Sequence, residues 1–511
     1  MVDSRLATAH PTEGLLARNA FYNFLGQAVP LLVAVVSIPQ VVHRLGPERF
    51  GLLSLAWVVL GYFTIFDLGL GRATTKFVAQ LRAAGDEPMA SAVITASFGF
   101  QLLLGVVGAS LLFLLSPTLT VLLRVPTALT SEAYLTFRLL AAALPAILAT
   151  TSLIGGLEAR YLFASANLLK AIASLGLYVV PLVVVRSSSS LAHIALGITV
   201  WRWACLGLSL RLAQTQFRLA PILSPRAVRI RDLLSFGSWV TAAALLVPVT
   251  AYLDRVFIAR LTSLQDLTYY AIPYDLVQRL LVVGSAVAGA AYPMFAAGSV
   301  STVRDVTGRS MRFIAMGLGV PCVLLATHAR PILQLWLGDD LAQRSAKVLV
   351  LLAVATLING FGYVPYALVE ARGAPRVVAL YHALELGPYA ALTYVLVRSY
   401  GVEGAAVAWL ARMGVTIPLF SAICVGKVGL RHSDWLHPVM RGVSGVVAAA
   451  VPAAALARWV SGENVGLPAL GVIFVAGLIA SAAASWRFGL EESDRDHVRR
   501  AIGRLGVTAS D

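Results

Sequence analysis

Apolar residues run through this chain in blocks of roughly 20, the length that crosses a bilayer as a helix, with short polar turns between them. The blocks begin near residues 19, 50, 89, 131, 161, 191, 233, 266, 309, 346, 376, 402, 440 and 466. They predict an all-α chain of about fourteen spans. An even number of spans places both termini on one side.

Composition agrees with this pattern. Of 511 residues, 58% are hydrophobic and 13% are charged, and the mean hydropathy is +0.80. A soluble chain carries about 25% charged residues, so the chain reads as a polytopic membrane protein. The net charge of +15 follows the topology. If both termini are cytoplasmic, inward segments hold 24 basic residues and outward loops hold 10. That is the asymmetry of the positive-inside rule, and it removes the reason to invoke nucleic acid. The N-terminal segment lacks a short apolar core followed by a small-residue cleavage site, so no removable signal peptide is expected. Cys205, Cys322 and Cys424 lie far apart in apolar segments and read as core residues, with no metal site or disulfide implied. His432 and His437 lack metal-ligand company and read as solvated surface. No cofactor is implied.

Six cations fall inside expected spans: Arg138, Lys170, Arg202, Arg255, Arg279 and Arg412. Arg138 is near a helix end, where it can snorkel to the interface. An arginine at the centre of a span costs roughly 2.5–3.5 kcal/mol on insertion scales, so the others need a reason. An internal repeat supplies one. "LLAAALPAILATTSLIGGLEAR" (139–160) matches "LLAVATLINGFGYVPYALVEAR" (351–372) at an offset of 212, which also sets Lys170 against His382. After a two-residue length change, "ALGITVWRW" (195–203) meets "AAVAWLARM" (405–413), so Arg202 falls opposite Arg412. Parallel repeats of six spans place a substrate path between halves. Two arginines at equivalent mid-helix positions then read as cations of a water-filled cavity; a structural role preserved twice is the competing reading.

Other polar residues fit a cavity. Asn167, Lys170, Ser174 and Tyr178 recur at helical spacing on the fifth span, as do His382, Glu385, Tyr389 and Thr393 on the eleventh; each set forms one polar face. "YLDRVFIAR" carries Asp254 and Arg255, which point in different directions and need separate partners. In "YYAIPYDLVQRLL", Asp275 and Arg279 are spaced i, i+4 and can pair. Asp67 and Arg72, in "FDLGLGRATTK", read as boundary anchors near the cytoplasmic end.

The N-terminal stretch "RNAFYNFLGQAVPLLVAVVSIPQVVHRLGPERFGLLSLAWVVLGYFTIFDLGLGRA" and "YLDRVFIARLTSLQDLTYYAIPYDLVQRLL" resemble the starts of the two lobes of polysaccharide and oligosaccharide flippases, the Wzx-type branch of the MATE-like superfamily. The resemblance spans about residues 15–425 and rests on long matches and the six-plus-six repeat. It implies two six-helix lobes in a V-shaped arrangement. The expected organisation is a cytoplasmic N-terminus (1–18), an N-lobe (19–212), a basic cytoplasmic connection (213–232), a C-lobe (233–426), two additional helices (427–486) and a cytoplasmic tail (487–511). The implied activity is ion-coupled translocation of undecaprenyl-pyrophosphate-linked oligosaccharide across the bacterial inner membrane, with protons or sodium as coupling ion. A polysaccharide polymerase and glycosyltransferases are the implied protein partners.

On this reading Arg202 and Arg412 bind the pyrophosphate through paired guanidinium donors; Lys170, Arg279 and Arg255 assist. Asp254, Glu385, Asp275 and His382 are candidates for ion coupling. Alternatives of the same fold are a lipid II flippase, since fourteen-helix members occur among them, and an exporter of cationic drugs, which would favour an acidic lumen. A membrane polymerase or ligase would need a substantial outward catalytic domain, whereas the longest outward loops are about 15–17 residues. No GxxxxGK[ST] phosphate loop appears. The chain therefore reads as a transporter and not an enzyme.

Overall fold

The computed structural model describes residues 29–217 and 249–444, apart from positions 31, 68, 69, 161, 373 and 435, together with 479, 483 and 486. The expected segment 1–18, nearly all of the connection 213–232, most of the last two expected helices and the tail 487–511 lie outside them. Every regular element among the described residues is helical, which agrees with the all-α expectation. Among the described residues, eight helices are long and apolar enough to cross a membrane. The chain divides into two compact units, Met1–Tyr252 and Leu253–Asp511.

The first unit contains α1 (Leu32–Leu45), α2 (Pro47–Phe63), α3 (Leu70–Ala83), α4 (Glu87–Leu122), α5 (Thr127–Ala141), α6 (Leu144–Ala159), α7 (Phe163–Val184) and α8 (Leu191–Gln216). A helical stretch over 249–261, α9, carries the boundary between units. The second unit continues with α10 (Leu264–Gln278), α11 (Val282–Ala297), α12 (Val300–Thr327), α13 (Ala329–Leu337), α14 (Asp339–Ala371) and α15 (Pro375–Val428).

Local chemistry sets several boundaries. Asp86 caps α4 by accepting from the Met89 amide at 3.0 Å, with Pro in the first turn and Glu87 beside the positive helix end. Ser263 caps α10 in the same way through Asp266, whose carboxylate accepts from the Ser263 hydroxyl in return. α4 has 36 residues, about 54 Å of helix against a hydrocarbon core of about 30 Å. It leaves Leu103, Leu114 and Val121 on its surface, as a lipid-facing helix does. α15 runs across two expected spans and reverses at Gly401, whose φ of 58° and ψ of −135° lie in a region essentially reserved for glycine.

Two expected single spans are broken. The second becomes α2, a 3-10 turn Thr64–Asp67, and α3; the eighth becomes α10, a 3-10 turn Arg279–Leu281, and α11. These spans open the two sequence repeats at corresponding places, so the break is itself repeated. A 3-10 turn inside a helix marks a hinge or a site more often than an accident.

Each unit has its own packed interior. Ile94, Leu153, Leu157, Leu169 and Leu206 belong to the first, and Phe295, Ile314, Leu318, Val364 and Phe420 to the second. Lipid tails are as apolar as these side chains, so close packing rather than hydrophobic transfer holds the helices together. α3 and α6 meet at Gly155, where a Cβ would stand 2.6 Å from the Gly71 carbonyl oxygen. The Arg138 guanidinium, expected to snorkel, lies 4.1 Å from the Phe113 ring centre and 3.8 Å from that of Tyr134. Ring faces of this kind attract a guanidinium.

Candidate functional site

In the second unit the intramembrane charges gather on α9, α10 and α15. Asp254 and Arg255 are nearly sealed, at 1% and 3% exposure. Adjacent helical positions diverge by about 100°, and the two do take separate partners. The Tyr270 hydroxyl donates to Asp254 Oδ2, while Arg255 Nη2 donates to Asp275 Oδ1. The Arg255 amide also donates to Asp254 Oδ1 at 2.8 Å. The partner of Asp275 is thus Arg255, twenty residues earlier, and not the i+4 residue Arg279. α10 ends at Gln278 and the chain enters a 3-10 turn at Arg279, which changes the azimuth that an i, i+4 pair requires.

On α15, Arg412 grips Glu385 with two donors, Nη2 to Oε1 at 2.6 Å and Nε to Oε2 at 3.2 Å. His382 Nδ1 lies 2.7 Å from the same Oε1. The Glu385 and Arg412 side chains are 7% and 11% exposed, so the pair is desolvated and holds by geometry as much as by charge. The Gly401 reversal makes this possible, because it folds the second half of α15 back onto the first. Tyr389 lies under the guanidinium at 4.8 Å, and Tyr274, stacked on Tyr270, meets Trp409 at 5.5 Å. His382, Glu385, Arg412, Asp254, Arg255 and Asp275 thus sit in polar-aromatic surroundings within one unit. Three carboxylates face two guanidinium groups there.

The first unit is built differently. Lys170 Nζ lies 2.5 Å from Glu158 Oε1, reaching back toward the end of α6. Arg202 is half-buried on α8, on the face shared by the buried residues Ile198, Thr199, Cys205 and Leu206. Trp201 and Trp203 beside it are tied to carbonyl oxygens of Ile172 and Ala142 at 2.9 Å. Among the described residues no carboxylate pairs with Arg202.

Sequence reasoning missed a polar group at the first unit's helix break. Asp67 Oδ1 accepts from Gln101 Nε2 at 2.5 Å and from Thr151 Oγ1 at 2.7 Å. Gln101 is fully buried and its Oε1 accepts from the Ser152 amide at 3.0 Å and from the Ser152 hydroxyl. Asp67 is therefore bound into α4 and α6 at the end of this unit's 3-10 turn. The usable signal was a glutamine inside an apolar block opposite the run Thr150–Thr151–Ser152. No group of three His, Cys, Asp or Glu residues in metal-binding geometry occurs among the described residues.

Comparison with known proteins bears on this arrangement. A Shigella flexneri protein named for O-antigen transport is 26% identical over 405 residues, which cover 78% of this chain and 95% of that protein. Among solved structures, the lipid II flippase MurJ in an inward closed conformation superposes with a TM-score of 0.68 at 11% identity, covering 92% of this chain and 99% of that one. An inward-facing multidrug resistance MATE family transporter of the MOP superfamily gives 0.66 at 16% identity, covering 79% and 95%. At these identities the structures establish the fold. Residues 16–299, more than half of the chain, match the family model described as polysaccharide biosynthesis protein, and the chain belongs to that family, as a multi-pass membrane protein.

Proposed function

We propose that the protein is an ion-coupled flippase that carries an undecaprenyl-pyrophosphate-linked oligosaccharide from the cytoplasmic to the outer leaflet of a bacterial inner membrane, with both chain termini in the cytoplasm. The observation that carries this reading is Arg202, a guanidinium inside an apolar helix with no carboxylate partner among the described residues. Such a group is expensive to keep in a membrane unless an anion visits it. A pyrophosphate is a fitting visitor, because guanidinium presents paired donors to phosphate oxygens. Lys170, Arg255, Arg279 and Arg412 are the further cations of the path. Asp254, Glu385, Asp275 and His382 are the groups available to take up a coupling proton. The Shigella flexneri relative and the MurJ-like fold support a lipid-linked saccharide as cargo, and the isoprenoid tail stays in the bilayer while only the head group crosses. The polymerase and glycosyltransferases of the same surface polysaccharide are its functional neighbours.

Deleting the gene in its host tests this. Loss of a surface polysaccharide, with pyrophosphate-linked oligosaccharide lipid accumulating behind it, is the expected phenotype. Unchanged polysaccharide with new sensitivity to cationic dyes would favour the drug-exporter reading.

A further inference from the structure

The two repeats hold their equivalent arginines in opposite states. In the second unit Tyr381 Oη and Thr416 Oγ1 are 2.5 Å apart, and one helical turn farther along both strands of the hairpin Glu385 grips Arg412. In the first unit Leu169 and Leu206, at the positions equivalent to Tyr381 and Thr416, lie in one buried cluster. By the same sequence alignment, the residue equivalent to Glu385 is Ala173. In the first unit α7 and α8 likewise pack against each other, with the Trp201 indole donating to the Ile172 carbonyl at 2.9 Å. Among the described residues of the first unit, no carboxylate pairs with Arg202 as Glu385 pairs with Arg412.

We propose that the repeat supplies one open and one latched phosphate subsite: Arg202 stands open to the pyrophosphate of the cargo, and Glu385 occupies the paired donors of Arg412 until a proton or the cargo displaces it. This rests on the flippase reading and assigns the two arginines different tasks within it. A phosphate oxygen needs the same two guanidinium donors that Glu385 holds, so cargo and Glu385 compete for Arg412. Glu385 is already shared with His382, at 2.7 Å, and a proton on that pair weakens its hold on the guanidinium. Proton uptake by the pair and anion binding at Arg412 consequently favour each other, by the same factor in both directions. The charged and titratable groups around the pair are Tyr381, Tyr389 and Arg412 on α15 and Tyr366 on α14. Asp254 on α9 and Tyr274 on α10 act on it through Arg412.

The test is binding of geranyl pyrophosphate, a short polyprenyl pyrophosphate, to the full-length protein in detergent by calorimetry, beside transport in proteoliposomes. Ala173→Glu installs the missing latch and should weaken binding at least tenfold. Ala173→Gln, equal in size and uncharged, should bind as wild type does and controls for packing. Glu385→Gln removes the competing carboxylate and should tighten binding several-fold. Equal binding by Ala173→Glu and Ala173→Gln would overturn the open subsite. Binding by Glu385→Gln no tighter than that of wild type would overturn the latch. Neither result touches the flippase reading, which fails instead if wild type binds the probe in the expected order yet moves no lipid-linked oligosaccharide.

Discussion

Arg255→Met removes the most enclosed guanidinium of the ion pairs among the described residues. The Arg255 side chain is 3% exposed and that of Asp275 is 29%. Breaking a buried pair by deleting one member costs roughly 3–5 kcal/mol, because the remaining charge is left uncompensated. The part-exposure of Asp275 puts this case at the lower end, about 3 kcal/mol. Loss of the guanidinium from the Tyr274 face, 5.0 Å away, adds about 0.5 kcal/mol. For a unit of this size roughly 2 °C accompanies each kcal/mol, so the midpoint of thermal unfolding should fall by about 7 °C. Arg255→Met with Asp275→Leu removes both charges, and such replacements are often neutral. The double variant should recover most of the midpoint. Tryptophan fluorescence during heating of the purified protein reads both values. If the double variant is stable but inactive in transport, the pair serves function as well as the fold. A single variant within about 1 °C of wild type, or a double variant as unstable as the single, would refute the reasoning.

Other outcomes follow from the same geometry. Tyr270→Phe strips the hydroxyl donor from the sealed Asp254 carboxylate and should cost about 1–3 kcal/mol, read as a lower unfolding midpoint that Tyr274→Phe does not match. Gly155→Val places side-chain carbon where a Cβ would already stand 2.6 Å from the Gly71 carbonyl oxygen; overpacking there should cost about 1–3 kcal/mol, and the same melting assay checks it. Gly401→Ala forces an L residue to φ 58° and ψ −135° and should destabilise by about 1–3 kcal/mol. For topology, the three native cysteines are buried, so Ser189→Cys should react with an impermeant maleimide on intact cells. Ala84→Cys should react only after permeabilisation.

Much of this architecture is legible in the chain. The apolar blocks mark the spans, and the polar stripe His382, Glu385, Tyr389 and Thr393 marks a helix face that the structure fills with the Glu385–Arg412 contact. The stripe could not name the partner of Glu385, because that contact depends on how Gly401 turns the chain. The i, i+4 rule paired Asp275 with Arg279 on the premise of an unbroken helix. The 3-10 turn beginning at Arg279 removes the premise, and no spacing in the sequence announces it. Asp67 illustrates the same limit. As part of "FDLGLGRATTK" it looked like an anchor at a span's end, and only the fold brings Gln101 and Thr151 to it. Arg202 and Arg412 are equivalent by sequence alignment, yet the position aligned with Glu385 is Ala173, and among the described residues no carboxylate pairs with Arg202.

The most direct measurement is transbilayer movement of a fluorescent pyrophosphate-linked oligosaccharide lipid in proteoliposomes under an imposed proton gradient, comparing wild type with Arg202→Gln. Wild type should move the lipid faster with the gradient than without it, and folded Arg202→Gln should lose most of that movement. Movement in Arg202→Gln equal to wild type would return this arginine to a structural role, and an inert wild type that exports a cationic dye would contradict the account as a whole.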